Sequence, residues 1–321
     1  MPALISIIIP TYKRAAIVPR AIRSVLAQTW RPIQLIVIND GSPDNTNEVL
    51  AGMEEEIKAA GVEHLFITKE NGKLSTVRNR GMKEARGEYF GFLDDDDLYT
   101  PDKLTKQMAE LERTGADACC CFMTRTSGNK PRAPQEAREL LRGRAGPQFV
   151  ARTANGHINS LLMKTSLIPR VGEFDVDLPP YEDDEWKARL CFEATFCAVE
   201  EELGVYTWSA QAMTRVNSLE DNVKRDVAFM LHLNRIRERC SGKPGWDENA
   251  WKARALHVYD ECAKHRLYVG DLKVASELHD KALEICGPNE QLRKLRVKMR
   301  KAWWMSWIGL KPRHPQMRKA V

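Results

Sequence analysis

The chain has 321 residues, 43% of them apolar and 29% charged, with a formal net charge of +5. Those figures exclude a disordered or fibrous protein and leave room for one large domain with an extension, or for two domains with separate cores. No apolar run reaches the ~20 residues of a membrane span. The opening MPALISIIIPTYKR lacks the basic region and cleavage site of a secretory signal, so a cytoplasmic chain is expected.

Eight cysteines are scattered, three of them adjacent at Cys119 to Cys121, and no C-x-x-C pair occurs. They read as reduced, buried thiols rather than as a metal or disulfide framework.

In chain order, ALISIIIP (Ala3 to Pro10) is a short β-branched apolar run, followed by a helical pattern from Arg14 to about Gln28. IQLIVIND (Ile33 to Asp40) is a second run, closed by a DGSPD turn in which Asp44 is placed to cap the next helix. VEHLFIT (Val62 to Thr68) is a third, followed by a helix from Ser75 to Ala85, and EYFGFLD is the fourth. Strand, helix, strand, helix with continuous apolar strands predicts a mostly parallel sheet covered on both faces. In such sheets ligands bind beyond the carboxyl ends of the strands. No G-x-G-x-x-G follows the first strand, which argues against a dinucleotide oxidoreductase.

A helix from about Pro101 to Thr114 precedes the strand-like ADACCCFMTR. Ser127 to Gln148 is rich in Pro, Gly and charge and reads as a mobile insertion. In YEDDEWKARLCFEA, the residues Trp186, Leu190 and Ala194 share one face of a helix that begins with acids. A short strand FCAVEE and the segment LGVYTWSAQAMTR follow. From Asn217 onward the pattern is helical, with a Gly270-Asp271 turn, a Pro288 break and small residues Ala255, Ala275 and Ala282 that suggest tetratricopeptide-like hairpins. The expected division is a catalytic domain over 1–216 and a helical extension over 217–321.

Four consecutive carboxylates, Asp94 to Asp97, directly follow the fourth apolar run. Adjacent anions against a buried strand are costly unless a cation or hydrogen-bond donors receive them. A helix cap needs one acid, and Thr100 or Asp102 already serves ahead of PDKLTKQM. The cluster therefore points to a hard divalent cation, Mg²⁺ or Mn²⁺, shared with a diphosphate. Asp40, at the end of the second strand, is placed to accept an N–H from a base edge, and Arg78 to meet phosphate oxygens. YEDDE, about ninety residues downstream, offers a second acidic site suited to a general base.

Four stretches, ISIIIPTYKR, IVINDGSPDNT, ENGKLSTVRNRGMKEARGEYFGFLDDDDLYTPDKL and YEDDEWKARL, resemble in order the blocks of glycosyltransferase family 2, which has the GT-A fold; the resemblance covers Leu4 to Thr214. It implies inverting, metal-dependent transfer of a sugar from a nucleoside diphosphate donor to a hydroxyl, with UDP the base by analogy. The acceptor would be a glycan or lipid-linked glycan in surface polysaccharide or lipopolysaccharide synthesis. Carried over, Pro10, Thr11, Tyr12, Arg14, Asp40, Asn71, Arg78, Asp94 and Asp95 are the nucleotide-binding residues. Asp96, with Asp94, holds the metal in a D-x-D motif, and Asp94 or Asp95 faces the ribose. In the Glu182-Asp183 pair, Asp183 is the catalytic base, and Arg189 matches a basic residue further along that helix. The family's Tyr-Arg and His after the base helix are absent from VYTWSAQAMTR, which removes a histidine ligand from that segment.

Gln291 to Val321 holds ten Lys and Arg, no Asp or Glu, and Trp303, Trp304 and Trp307. That composition suits peripheral contact with an anionic membrane, at the inner-membrane face. Nucleic acid is not an expected partner, since no binding module accompanies the basic residues. Two other readings are a sugar-phosphate nucleotidyltransferase, for which PTYKRAA lacks the Gly-rich loop, and a non-catalytic nucleotide-binding or helical scaffold.

Overall fold

The computed structural model describes residues 1–127, 130–131, 139–178, 182–208, 218–308 and 310. Of the sequence expectations, the Pro- and Gly-rich stretches 128–129 and 132–138, the start of YEDDE at 179–181, the segment 209–217 with the 216/217 boundary, and 311–321 of the basic tail lie outside the described residues. The chain separates into two compact units, Met1–Asp177 with Glu182–Ala212, and Leu178–Tyr181 with Met213–Val321.

In the first unit three of the four apolar runs become strands whose side chains are all buried. β1 (Ile5–Thr11) and β2 (Ile33–Asn39) have no exposed residue, and β4 (Tyr89–Phe92) is likewise buried throughout. β3 (Glu63–Thr68) is half-exposed at the sheet edge. These four run parallel, with Thr11 level with Asn39 and Asn39 with Thr68, so their carboxyl ends open on one side. The helices between them are α1 (Val18–Leu26), α2 (Thr46–Ala51), α3 (Glu54–Ala59) and α4 (Lys73–Glu84). Asp44 accepts the Thr46 N–H at the start of α2.

Beyond β4 come β5 (Leu98–Tyr99), α5 (Lys103–Thr114), β6 (Ala118–Ser127), β7 (Lys130–Pro131) and β8 (Gly143–Arg144). Then follow α6 (Gly146–Ala151), β9 (Leu162–Lys164), α7 (Ile168–Val171), α8 (Glu182–Glu193) and β10 (Thr195–Trp208). Among the described residues they complete a ten-stranded sheet of order β3-β2-β1-β4-β9-β6-β10-β5, with β7 beside β6 and β8 beside β10. β9 is antiparallel to β4 and β6 and joins two parallel regions.

Asp102 occupies the N-cap of α5 but does not cap it through its side chain. Its carboxylate takes the Thr100 hydroxyl and Lys106 instead. The stretch read as an insertion contributes β8 and the start of α6. Cys119, Cys120 and Cys121 are buried free thiols.

The second unit consists of α9 (Leu219–Cys240), α10 (Glu248–Val269), α11 (Leu272–Cys286) and α12 (Glu290–Trp307). Each begins at a polar cap, with Ser218, Asp247, Asp271 and Asn289 accepting backbone N–H groups of the first turn. Gly270, at φ 91°, closes α10. Leu267, Ala275 and Ala302 form a common apolar core with Leu272 and Met299.

Helix α4 lies against the sheet at Gly81, where a Cβ would fall 2.3 Å from Cγ2 of the fully buried Ile8. Gly81→Ala should therefore destabilise the protein by about 1–3 kcal/mol, although Ala is the better helix former by about 1 kcal/mol. Urea unfolding checks this, and an unchanged or raised midpoint contradicts the packing argument.

Candidate active site

The loops at the open ends of β1 to β3 are tied to one another by Asp40. Its buried carboxylate receives Lys69 Nζ at 2.7 Å, the Gly72 N–H at 3.0 and 3.1 Å and Asn71 Nδ2 at 3.3 Å. Gly41 follows because the turn needs φ +70° and a Cβ would lie 2.9 Å from the Asn71 nitrogen. Lys13 and Lys73 also adopt positive φ, 56° and 73°, so two non-glycine residues flank this cradle in the left-handed region. Pro10 and Thr11 are buried in β1, whereas Tyr12 is 40% exposed at its mouth with the Lys13 ammonium 5.0 Å from its ring.

The four carboxylates after β4 differ in their partners, although Asp94 and Asp97 share Asn159. Asp94 receives Arg78 Nη2 at 3.0 Å and Asn159 Nδ2 at 3.2 Å. Asp95 is buried and accepts the Thr11 hydroxyl at 2.7 Å, and burial pushes its carboxyl up to about 7 against that hydrogen bond. Asp96 lies 3.4 Å from Arg14 and stays partly exposed, with burial and the charge of Asp94 both raising it. Asp97 has no exposed surface. It accepts Asn159 Nδ2 at 2.6 Å and the Thr207 N–H at 2.8 Å, and burial and Asp94 push it up to about 8. The run thus divides into two buried acids, Asp95 and Asp97, and two partly exposed ones, Asp94 and Asp96.

Arg78 is only 3% exposed, and its two terminal nitrogens are committed to carboxylates, Nη1 to Glu182 at 2.5 Å and Nη2 to Asp94 at 3.0 Å. The sequence places it for phosphate oxygens; here both of those donors already have partners. Phe92 and Phe174 face its guanidinium at 5.9 and 5.5 Å. Burial works to lower its pKa, and Asp94 and Glu182 outweigh that and raise it. Glu182 is itself buried, which raises its carboxyl against the pull of Arg78. One cation therefore joins the acid run to the first turn of α8.

Asp183, next on α8, pairs with Lys187 one turn later at 3.0 Å. Burial alone would raise Asp183, but Lys187 and Arg78 prevail and hold it down to about 2. Lys187 is 5% exposed, contacts the Gly156 carbonyl at 3.4 Å and has Asp184 at 3.8 Å. His157 packs at a tilt against Tyr206 with ring centroids 4.9 Å apart, accepts the Asn159 N–H on Nδ1, and is kept neutral by burial. Arg189 turns away to Glu185 and the backbone of Val171 and Glu173. Sequence reasoning singled out none of Asn159, His157, Lys187 and Lys69; the i, i+4 spacing of Asp183 and Lys187 was the available signal.

Asp94 and Asp96 offer carboxylate oxygens, the donors a hard divalent cation prefers, and each is partly exposed. Among the described residues no group of three or more His, Cys, Asp or Glu is placed to hold an ion. An ion there would draw its other ligands from water and a diphosphate, the manner in which Mg²⁺ is usually held. The residues fit that role.

Residues 6–164 match the family model described as glycosyl transferase family 2. That stretch is a glycosyltransferase family 2 domain. An uncharacterised glycosyltransferase of Rickettsia typhi is 41% identical over 110 residues, 34% of this chain and 32% of that one. In Rickettsia conorii the corresponding figures are 41% over 112 residues and 17% of the relative, so the match spans a third or less of these curated proteins. The uncharacterised glycosyltransferase EpsJ of Bacillus subtilis is 27% identical over 249 residues, covering 72% of this chain and 71% of EpsJ.

Two solved structures share the fold of this chain. S. aureus TarS (residues 1–349) superposes with a TM-score of 0.58 at 16% identity, covering 92% of this chain and 91% of that one. The mannosyltransferase PcManGT of Pyrobaculum calidifontis, in complex with GDP-Man and Mn²⁺, gives 0.62 at 16% identity, with 96% and 83% covered. The architecture is therefore GT-A, a mostly parallel sheet with helices on both faces, followed by the helical region α9 to α12.

Because Asp183 sits near 2 when folded and ~3.9 when unfolded, its ion pair adds stability that is complete above about pH 4 and is lost as pH falls through about 2. Lys187→Met should cost about 2 kcal/mol or more at pH 7, with the gap to the parent protein closing at pH 3 and below. Urea unfolding at the two pH values decides it. An equal gap at both would show that Lys187 acts through packing alone.

Proposed function

We propose that the protein is an inverting, metal-assisted glycosyltransferase that moves a sugar from a nucleoside diphosphate donor to a hydroxyl. The observation that carries this reading is the Arg78 bridge, which brings the acid run after β4 together with the Glu182-Asp183 pair from 104 residues away. This supports a site for the donor's diphosphate beside a base for the acceptor, at the end of the sheet where ligands of such folds bind.

The donor's nucleoside would rest on Pro10, Thr11 and Tyr12, with Asp40, Asn71 and Arg14 around it and Asp95 or Asp94 at the ribose. Asp96 and Asp94 would hold a Mn²⁺ or Mg²⁺ ion, which supplies charge neutralisation to the departing diphosphate. Asp183, ionised at neutral pH, accepts the proton of the acceptor hydroxyl. The freed oxygen bonds to the anomeric carbon as the carbon–oxygen bond to the diphosphate breaks, and the electron pair leaves with the nucleotide. A single displacement of this kind inverts the anomeric centre. Arg78 keeps Glu182 and Asp94 in place, and Lys187 keeps Asp183 charged.

Uridine is the preferred nucleoside, since TarS has been solved with UDP and with UDP-GlcNAc, while PcManGT was solved with GDP-Man. A glycan or lipid-linked glycan acceptor, as in surface polysaccharide or lipopolysaccharide synthesis, accords with the family. A lipid-linked acceptor would bring the enzyme into peripheral contact with the cytoplasmic membrane face. No described helix is long and apolar enough to cross a membrane.

Thermal unfolding with UDP, GDP and dTDP, each with and without Mn²⁺, tests the donor site. One nucleotide at about a hundred times its dissociation constant should add about 2.7 kcal/mol and need the metal to do so. Asp183→Asn should keep that shift while kcat for transfer falls by about 10²–10⁴. A shift with no nucleotide, or full activity in the Asn variant, would favour the non-catalytic scaffold.

A further inference from the structure

Helix α12 is amphipathic in an unusual sense. Its inward residues are Leu292, Leu295 and Ala302, each about 1% exposed, and Met299 packs with them. The opposite face is not simply polar. Trp303, Trp304 and Trp307 are 48%, 65% and 71% exposed, followed by Ile308 at 71% and Leu310 at 55%. The three indoles touch one another, with ring centroids 5.5 Å apart for Trp303 and Trp304 and 5.2 Å for Trp303 and Trp307. A packed helix end would hide such surface, since each indole has upward of ~150 Å² to bury.

Charge accompanies the aromatics. Arg293, Arg296 and Arg300 stand at three- and four-residue steps leading to Trp303, Trp304 and Trp307, and all are exposed. Val297, 62% exposed, lies among them. After Glu290, which pairs with Lys294 at 2.8 Å, no acid occurs anywhere in α12. One face therefore carries a row of guanidinium groups ending in a ridge of indoles.

We infer that this face of α12 is a docking surface for an anionic lipid bilayer, on which the helix lies flat. Indoles favour the headgroup boundary, where the ring is out of water and the N–H keeps a partner. Guanidinium groups pair with lipid phosphates, and basic residues are drawn to an anionic surface. A second copy of the chain is the less suitable occupant. A two-fold contact would bring together two helices that each carry six Lys and Arg against one Glu, and like charges brought together oppose association. The surface gives the membrane contact of the functional reading a defined place, and it holds whether or not the protein transfers sugar.

The test uses the full chain and vesicles of phosphatidylcholine alone or with 30% phosphatidylglycerol, ~30% being an anionic fraction at which surface charge attraction is strong. Co-sedimentation should occur with the anionic vesicles and fall at least about tenfold in 0.5 M salt, where screening shortens to a few ångströms. Trp303→Ser with Trp304→Ser and Trp307→Ser, and separately Arg293→Gln with Arg296→Gln and Arg300→Gln, should each weaken binding at least about tenfold, with circular dichroism unchanged. No sedimentation with anionic vesicles, or sedimentation that neither variant weakens, overturns the inference. So does light scattering that shows a dimer which the tryptophan variant dissociates. Nucleotide binding measured on the same samples separates this outcome from that of the transferase reading.

Discussion

A guanidinium almost without solvent holds the candidate site together. Arg78 has Asp94 on one nitrogen and Glu182 on another, with aromatic rings against its plane. Removing a cation from water costs several kcal/mol, and only close, well-directed anions offset that. The dependence runs both ways: Arg78 draws Glu182 to Asp94, which Asn159 also holds, and Arg78 tolerates burial only while the two carboxylates are there. The acid run, the start of α8 and helix α4 consequently behave as one unit, although α8 lies 104 residues beyond Arg78 in the chain.

Around that unit the charges are graded from structural to exposed. Asp97 and Asn159 are wholly buried and stitch β4 to the turn before β9 and to β10. Asp95 is held by Thr11 from β1. Asp94, Asp96 and Asp183 are the carboxylates with room to meet a ligand, and each has a cation in contact, Arg78, Arg14 or Lys187. Buried groups thus fix the backbone while less buried neighbours on the same backbone face the open side, which gives a polar loop the precision of a packed core.

Much of this was legible in the sequence because the signals were local. β1, β2 and β4 are apolar runs, and their ends carry the acids, so both the parallel sheet and its binding edge follow from pattern alone. β5 and β9 were not legible. Two and three residues are too few to show a period, and β5 lies inside the polar stretch DDDDLYT. β10 divided into two in the sequence reading because EEEL interrupts its apolar residues; the structure carries it through with irregular register between Val199, Glu202 and Gly204. The acids of the site announced themselves by clustering. Their partners did not, because Asn159 and the Thr207 N–H reach Asp97 across 62 and 110 residues and belong to no motif.

The 104-residue separation between Arg78 and Glu182 also bears on how the chain is made. During synthesis β1 to β4 emerge first, and their mutual pairing needs nothing downstream. Arg78 and the four aspartates emerge with them, while Glu182, Asn159 and the antiparallel neighbour β9 are still to be translated. A nascent chain at that stage has a complete parallel half-sheet whose most charged edge lacks its balancing partners, and its exposed β4 flank is open to wrong pairing. The interval lasts about five to twenty seconds at ordinary elongation rates, which makes the arrival of the segment from Asn159 to α8 the step that converts a vulnerable intermediate into a finished domain.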